Sequence, residues 1–107
     1  MKPPLLRLMA EQDIQSGFAH HLREAGGDIA SAFVGALDAA LDHIAQSPAT
    51  GSPRYGELLD MPGLRSWLVK DFPYLLFYVE QGDYLDVIRA LHAHADIPAQ
   101  LREGAQD

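Results

Sequence analysis

The sequence contains no cysteine. That excludes a disulfide framework, a thiol nucleophile and a thiolate metal site, and it fits a reducing compartment. Long apolar runs are missing too: none approaches the ~18 residues that a membrane-crossing helix needs. The N-terminus shows no basic region followed by an apolar stretch of signal-peptide length. The expectation is a cytoplasmic protein with no membrane partner. Positive charge is also scarce, with eight Lys and Arg against fifteen Asp and Glu and a net charge of −7. The deficit is even, four bases to eight acids through Gly63 and four to seven after it. Phosphate neutralisation supplies most nucleic-acid affinity, so direct sequence-specific nucleic-acid binding is not expected.

What remains is ordinary globular material. The 107 residues are 48% hydrophobic, enough for one modest core and one domain over residues 1–107. No internal repeat or low-complexity segment interrupts it. The organising stretch is Gly63 to Pro98. Three short runs rich in Leu, Val, Ile and aromatics are separated there by Asp71-Phe72-Pro73 and by Gln81-Gly82-Asp83. That pattern predicts a three-stranded antiparallel meander. The middle run, Tyr74 to Val79, is apolar on both faces and should be flanked by the other two.

Upstream, the two prolines in Lys2 to Ala10 leave Leu5 to Met9 as a short edge strand. Ile14, Phe18, Leu22 and Ala25 mark one face of a helix over Glu11 to Ala25, weakened at Gly17 and ended by Gly26-Gly27. Asp28 is a natural N-cap for a second helix through Gln46. Its stripe is Ile29, Phe33, Ala36, Leu37, Ala40, Leu41 and Ile44, with Asp38 and Asp42 on the solvated side. The two helices form an antiparallel hairpin whose apolar faces cover one side of the sheet. Ser47 to Pro62 is an irregular connection with one helical turn at Glu57 to Met61. Asp96-Ile97-Pro98 opens a short C-terminal helix, and 102–107 reads as a frayed tail. The fold class is α+β, in the order β-α-α-β-β-β, with the hairpin on one face of a twisted antiparallel sheet.

The polar residues in these apolar strands carry the candidate chemistry. Strand alternation places Arg65, Trp67 and Val69 on one face, with Leu68 and Lys70 on the other. It likewise groups Leu85, Val87, Arg89 and Leu91 against Ile88, Ala90 and His92. A guanidinium among core leucines must be paired to be tolerated. Two readings stand open. Arg89 pairs with a carboxylate or caps carbonyls while Arg65 and Lys70 are exposed, or the arginines form a small basic patch on the sheet face that the helices leave open. His92, His94 and Asp96 lie on one side of an extended strand, as a zinc site would need, but no fourth ligand announces itself. No metal and no cofactor is expected. His20 and His21 cannot share a helix face, so one should be half-buried and the other exposed.

Tyr55, Trp67, Tyr74, Tyr78 and Tyr84 exceed what so small a core needs. Tyrosine and tryptophan carry interface energy, and an uncovered sheet face rich in them marks a binding surface.

Four segments also resemble the ParE branch of the RelE/ParE toxin family, in its order and near its spacing, across roughly residues 28 to 98. They are Pro48-Ala49-Thr50-Gly51-Ser52-Pro53-Arg54, Gly63-Leu64-Arg65-Ser66-Trp67, Phe72-Pro73-Tyr74-Leu75-Leu76-Phe77-Tyr78 and Arg89-Ala90-Leu91-His92. The resemblance implies the toxin of a type II toxin–antitoxin pair, which binds DNA gyrase and is neutralised by a cognate antitoxin. The antitoxin tail would dock by groove and strand contacts. On that reading no residue is catalytic, and Arg65, Trp67, Lys70, Tyr78, Arg89 and His92 bind partners. The alternative the family offers is a RelE-type ribosome-dependent mRNA endoribonuclease, in which Arg65 and Arg89 hold phosphates and His92 moves protons. The dense lysines of such nucleases, and a tyrosine after the last strand, are missing here. A non-toxic binding module on the same scaffold is the remaining alternative.

Overall fold

A computed structural model describes residues 1–104 of the chain. The elements run β1 (Pro4–Leu6), α1 (Leu8–Ala25), α2 (Gly27–Gln46), α3 (Arg54–Leu58), β2 (Leu64–Leu68), β3 (Tyr74–Glu80), β4 (Leu85–His92) and α4 (Ile97–Gly104). A single 3-10 turn, Pro48–Thr50, joins α2 to the segment before α3. The four strands form one sheet in the order β1-β4-β3-β2. The meander pairs antiparallel, with β3 between its neighbours as the apolar middle run requires. β1 departs from the antiparallel expectation. It lies parallel to β4, Leu5 opposite Asp86, because the hairpin carries the chain across the sheet and back before β2 begins.

Gly26 makes the hairpin turn. At φ 91° and ψ 176° it takes a conformation nearly closed to other residues. Its N–H reaches Leu22 O at 3.2 Å and its carbonyl accepts the Ala30 N–H at 3.1 Å. One residue therefore ends α1 and starts α2. Asp28, expected as the N-cap, sits inside the first turn instead, where its charge faces the positive end of the helix dipole.

The hairpin covers one sheet face. Phe33, Leu37, Ala40 and Ile44 of α2 pack with Ala10 of α1 against Tyr74, Leu76, Tyr78, Leu85, Val87 and Ala90. The expected face of α1 was rotated. Ala10 and Gly17 are its buried residues, whereas Phe18 and Leu22 stay 37% and 47% exposed. Gly17 is there for proximity: a Cβ on it would lie 2.7 Å from Phe33 Cζ.

The opposite face is not open, as sequence reasoning had it. Leu64, Phe77, Ile88 and Leu91 form a second cluster there with Ile97 and Leu101 of α4. Tyr55, Leu59 and Met61, from α3 and the residues after it, pack beside them. The helical turn of this connection thus begins at Arg54, three residues before the expected Glu57. α4 reaches Gly104, so part of the expected frayed tail is helical, and residues 105–107 lie outside the described residues.

Candidate partner-binding site

Strand alternation breaks once, between Phe77 and Tyr78. Phe77 pairs with Arg89 but Tyr78 pairs with Val87, leaving Ile88 as the extra residue of a bulge. The bulge moves Ala90 to the hairpin face with Val87, and Leu91 to the other face with Ile88. The expected grouping of β4 side chains fails beyond this point. A bulge leaves no mark in hydrophobic alternation when both faces are apolar.

The bulge also decides what Arg89 does. It is 4% exposed. Its Nε and Nη2 donate to the Asp13 carboxylate of α1 at 2.7 and 2.8 Å, and its Nη1 donates to Gln100 O of α4 at 2.9 Å. Asp13 also accepts the Ala90 N–H at 3.0 Å. β1 pairs only as far as Val87, so beyond it this carboxylate takes the place of a strand. Arg89 therefore joins both helical layers, which is the paired reading.

Arg65 is engaged on the hairpin side. Its Nη1 donates to Gly51 O at 2.7 Å and to Ala49 O at 3.3 Å. The Tyr78 hydroxyl donates to Pro48 O at 2.6 Å and accepts the Gly51 N–H at 3.1 Å. Burial pushes this phenol above its ordinary range. Tyr78 is fully buried, which corrects its expected place on an exposed sheet face. A Cβ on Gly51 would collide with that hydroxyl, so glycine here is set by the tyrosine. The basic patch of the second reading does not form, because Arg65 and Arg89 lie on opposite sides of the sheet and are engaged by Gly51 and Asp13.

The remaining expected residues fall in two places. His92 is exposed at the end of β4, its Nδ1 accepting the His94 N–H at 3.1 Å, its ring 5.3 Å from that of Tyr74. Among the described residues, no group of three or more His, Cys, Asp or Glu could hold a metal ion. His21 is the half-buried histidine, against Phe33, Phe72 and Tyr74. Burial, then His20 and His92, lower its pKa.

Trp67 and Lys70 border an apolar cleft of about 670 Å³ between α2 and β2 with its following turn. One wall is the row Ala32, Ala36, Ala39 and Ala40; the other is Trp67, Leu68 and Phe72. The Trp67 indole stacks on the His43 imidazole, centroids 4.2 Å apart and planes 21° from parallel. His43 Nε2 lies 3.1 Å from Thr50 Oγ1. Sequence reasoning named Trp67 and Lys70 but missed the alanine row. Small residues at helical spacing read as a weak outer edge of the core stripe, although they also let another backbone come close.

A helical hairpin on a four-stranded sheet, with a short C-terminal helix behind it, defines a small α+β fold. The chain matches the family described as the ParE toxin of type II toxin-antitoxin systems, parDE, over residues 8–97, and it belongs to that family. Among solved structures it resembles the chromosomal ParDE TA system from P. aeruginosa, with TM-score 0.74 at 17% identity. The match covers 88% of this chain and 98% of that one, and at such identity it speaks to the fold alone. No curated protein sequence matches the chain.

Proposed function

We propose that this protein is the toxin of a type II pair that acts in the cytoplasm by binding DNA gyrase, and that a cognate antitoxin neutralises it. Membership of the ParE toxin family carries this reading. The placement of the cations supports its mechanism. A nuclease of the RelE kind would present Arg65, Arg89 and His92 to one phosphate chain. Here Arg65 and Arg89 point to opposite faces and are engaged by Gly51 and Asp13. Binding rather than chemistry is the activity that such a surface supports.

Induced expression without a partner should arrest growth with a DNA-damage response, and purified protein should inhibit gyrase supercoiling. Co-expression of the antitoxin should restore both. Normal growth and normal supercoiling at high levels of folded protein would leave a non-toxic binding module as the function.

A further inference from the structure

The last two turns of α1 are anchored largely by one side chain. Past Gly17, every residue of α1 is exposed except Ala19 and His21, which are half-buried. The His21 ring enters an aromatic cluster. Its centroid lies 4.7 Å from Phe33 of α2, 5.3 Å from Phe72 before β3 and 6.2 Å from Tyr74 of β3. Its Nε2 is buried there with no hydrogen-bond partner among the described residues. A neutral imidazole tolerates such a place at the cost of one hydrogen bond. An imidazolium, with a charge and two N–H donors, does not.

The charged and titratable groups around the ring bring no relief. On α1, His20 lies 5.4 Å away, ring to ring. On β4 stands His92, its ring 5.3 Å from that of Tyr74. A proton on either makes a proton on His21 costlier. Tyr74 presents a phenol whose own pKa is raised by burial, then by Asp13. Asp13 is itself committed to Arg89 and the Ala90 N–H. α2 and the turn before β3 present the rings of Phe33 and Phe72, while Lys70 and Asp71, beside Phe72, are exposed and line the cleft.

Phe72 ties this corner to the cleft. It forms part of the cleft wall and rests on the His21 and Phe33 rings, 5.3 and 5.4 Å away. The turn that carries it holds Asp71 at φ 69°, a left-handed conformation unfavourable to residues other than glycine. Such a conformation persists only while surrounding contacts hold it, and the Phe72 ring supplies some of them.

We propose that His21 is an acid-sensitive latch: gaining a proton drives its ring into water, and the end of α1 and the Phe72 wall of the cleft come loose together. The device belongs to the free protein and does not depend on the toxin reading. Released, the imidazole takes its proton near the ordinary 6.5; latched, it does so only at lower pH. The open state therefore binds more protons in mild acid, and acid favours it. From about pH 7.5 to about pH 5.5 the open population should rise several-fold, and by at most about tenfold.

Native-state hydrogen exchange on the full-length protein, corrected for the intrinsic pH dependence of amide exchange, tests this. Over that acid shift the amides of Leu22 to Ala25 should lose several-fold of their protection. Low denaturant should not speed their exchange, because the opening is local. The Phe72 ring resonances should move along the same pH curve as the His21 imidazole. His21→Phe keeps an apolar ring and has no proton to gain, so the loss of protection and the Phe72 shift should both vanish. His94→Gln, one ring further out beyond His92, should respond like the parent protein. Unchanged protection in the parent, or an equal loss in His21→Phe, overturns the latch. Phe72 resonances that stay still while His21 titrates overturn its link to the cleft. Should His21→Phe not fold, these two readouts in the parent decide.

Discussion

At the scale of single residues, this protein is fixed by polar groups whose partners lie far away in sequence. His21 is the exception: its Nε2 is buried with no hydrogen-bond partner, among Phe33, Phe72 and Tyr74. Burial comes first in lowering its pKa below 6.5, followed by His20 and His92. In the unfolded chain the ring takes its proton near 6.5; in the folded protein it does so only at lower pH. The unfolded state therefore binds more protons in the window below 6.5, and stability there falls as pH falls. His21→Phe should flatten that part of the curve, read as melting temperature at mildly acidic against neutral pH. An equal acid loss in wild type and variant would assign the effect elsewhere. Asp13 shows the opposite case, a group with every partner in place. Its side chain and that of Arg89 are 15% and 5% exposed. Removing one member of a buried pair costs about 3–5 kcal/mol, so Asp13→Ala should destabilise severely. Lys2→Ala, at the more exposed pair with Glu80, should cost under about 1 kcal/mol. Denaturant melts of the two variants check the contrast, and similar losses would contradict it.

At the scale of elements, α2 is the piece that joins the core to the candidate site. Its inner face buries Phe33 and Leu37 while its outer alanines line the cleft. Phe33→Ala or Leu37→Ala should cost about 2–5 kcal/mol, as large-to-small core changes do. Unchanged melting temperatures for both would overturn the packing of helix on sheet. Gly17→Ala should destabilise too, by about 1–3 kcal/mol through overpacking on Phe33, although alanine is the better helix former. This is where sequence and structure part. Periodicity found α2, the hairpin and the three meander strands, because each buries one consistent stripe. It rotated α1, because the real inner face is made of Ala10, Gly17 and the Arg89-bound Asp13, which hydrophobicity does not weigh. It left one sheet face bare, because the cover is two short helices. Tyr55 and Leu59 on one side, and Ile97 and Leu101 on the other, are too few to make a stripe. Of the candidate site, Trp67 and Lys70 were legible as polar or aromatic residues in apolar strands. Tyr78 and Arg89 carried the same signal and are buried instead, since their partners Pro48, Gly51, Asp13 and Gln100 come together only in three dimensions.

At the scale of the whole molecule, the question is where the few positive charges go. Eight cations are spread through a chain with fifteen acids, and four of them hold the fold together. Lys2 pairs with Glu80, Arg7 with Asp86, Arg89 with Asp13, and Arg65 binds the carbonyls of Ala49 and Gly51. The field around such a molecule repels an RNA chain at long range, and binding would forgo the counterion release that drives most phosphate recognition. A ribosome-dependent nuclease must overcome both with a dense local patch. Arg65 and His92 stand on different strands, beside Tyr78 and Tyr74 at opposite ends of β3. Bringing a phosphate between them would require Arg65 to release the loop that Tyr78 also holds. Primer extension on translated mRNA from expressing cells should therefore show no new codon-linked ends, even while growth is arrested. His92→Ala should give the same RNA pattern as the parent protein, because neither makes an imidazole-dependent cut. Codon-linked cuts that vanish in His92→Ala would instead make this protein an endoribonuclease, with the loop around Gly51 opening on the ribosome to free Arg65.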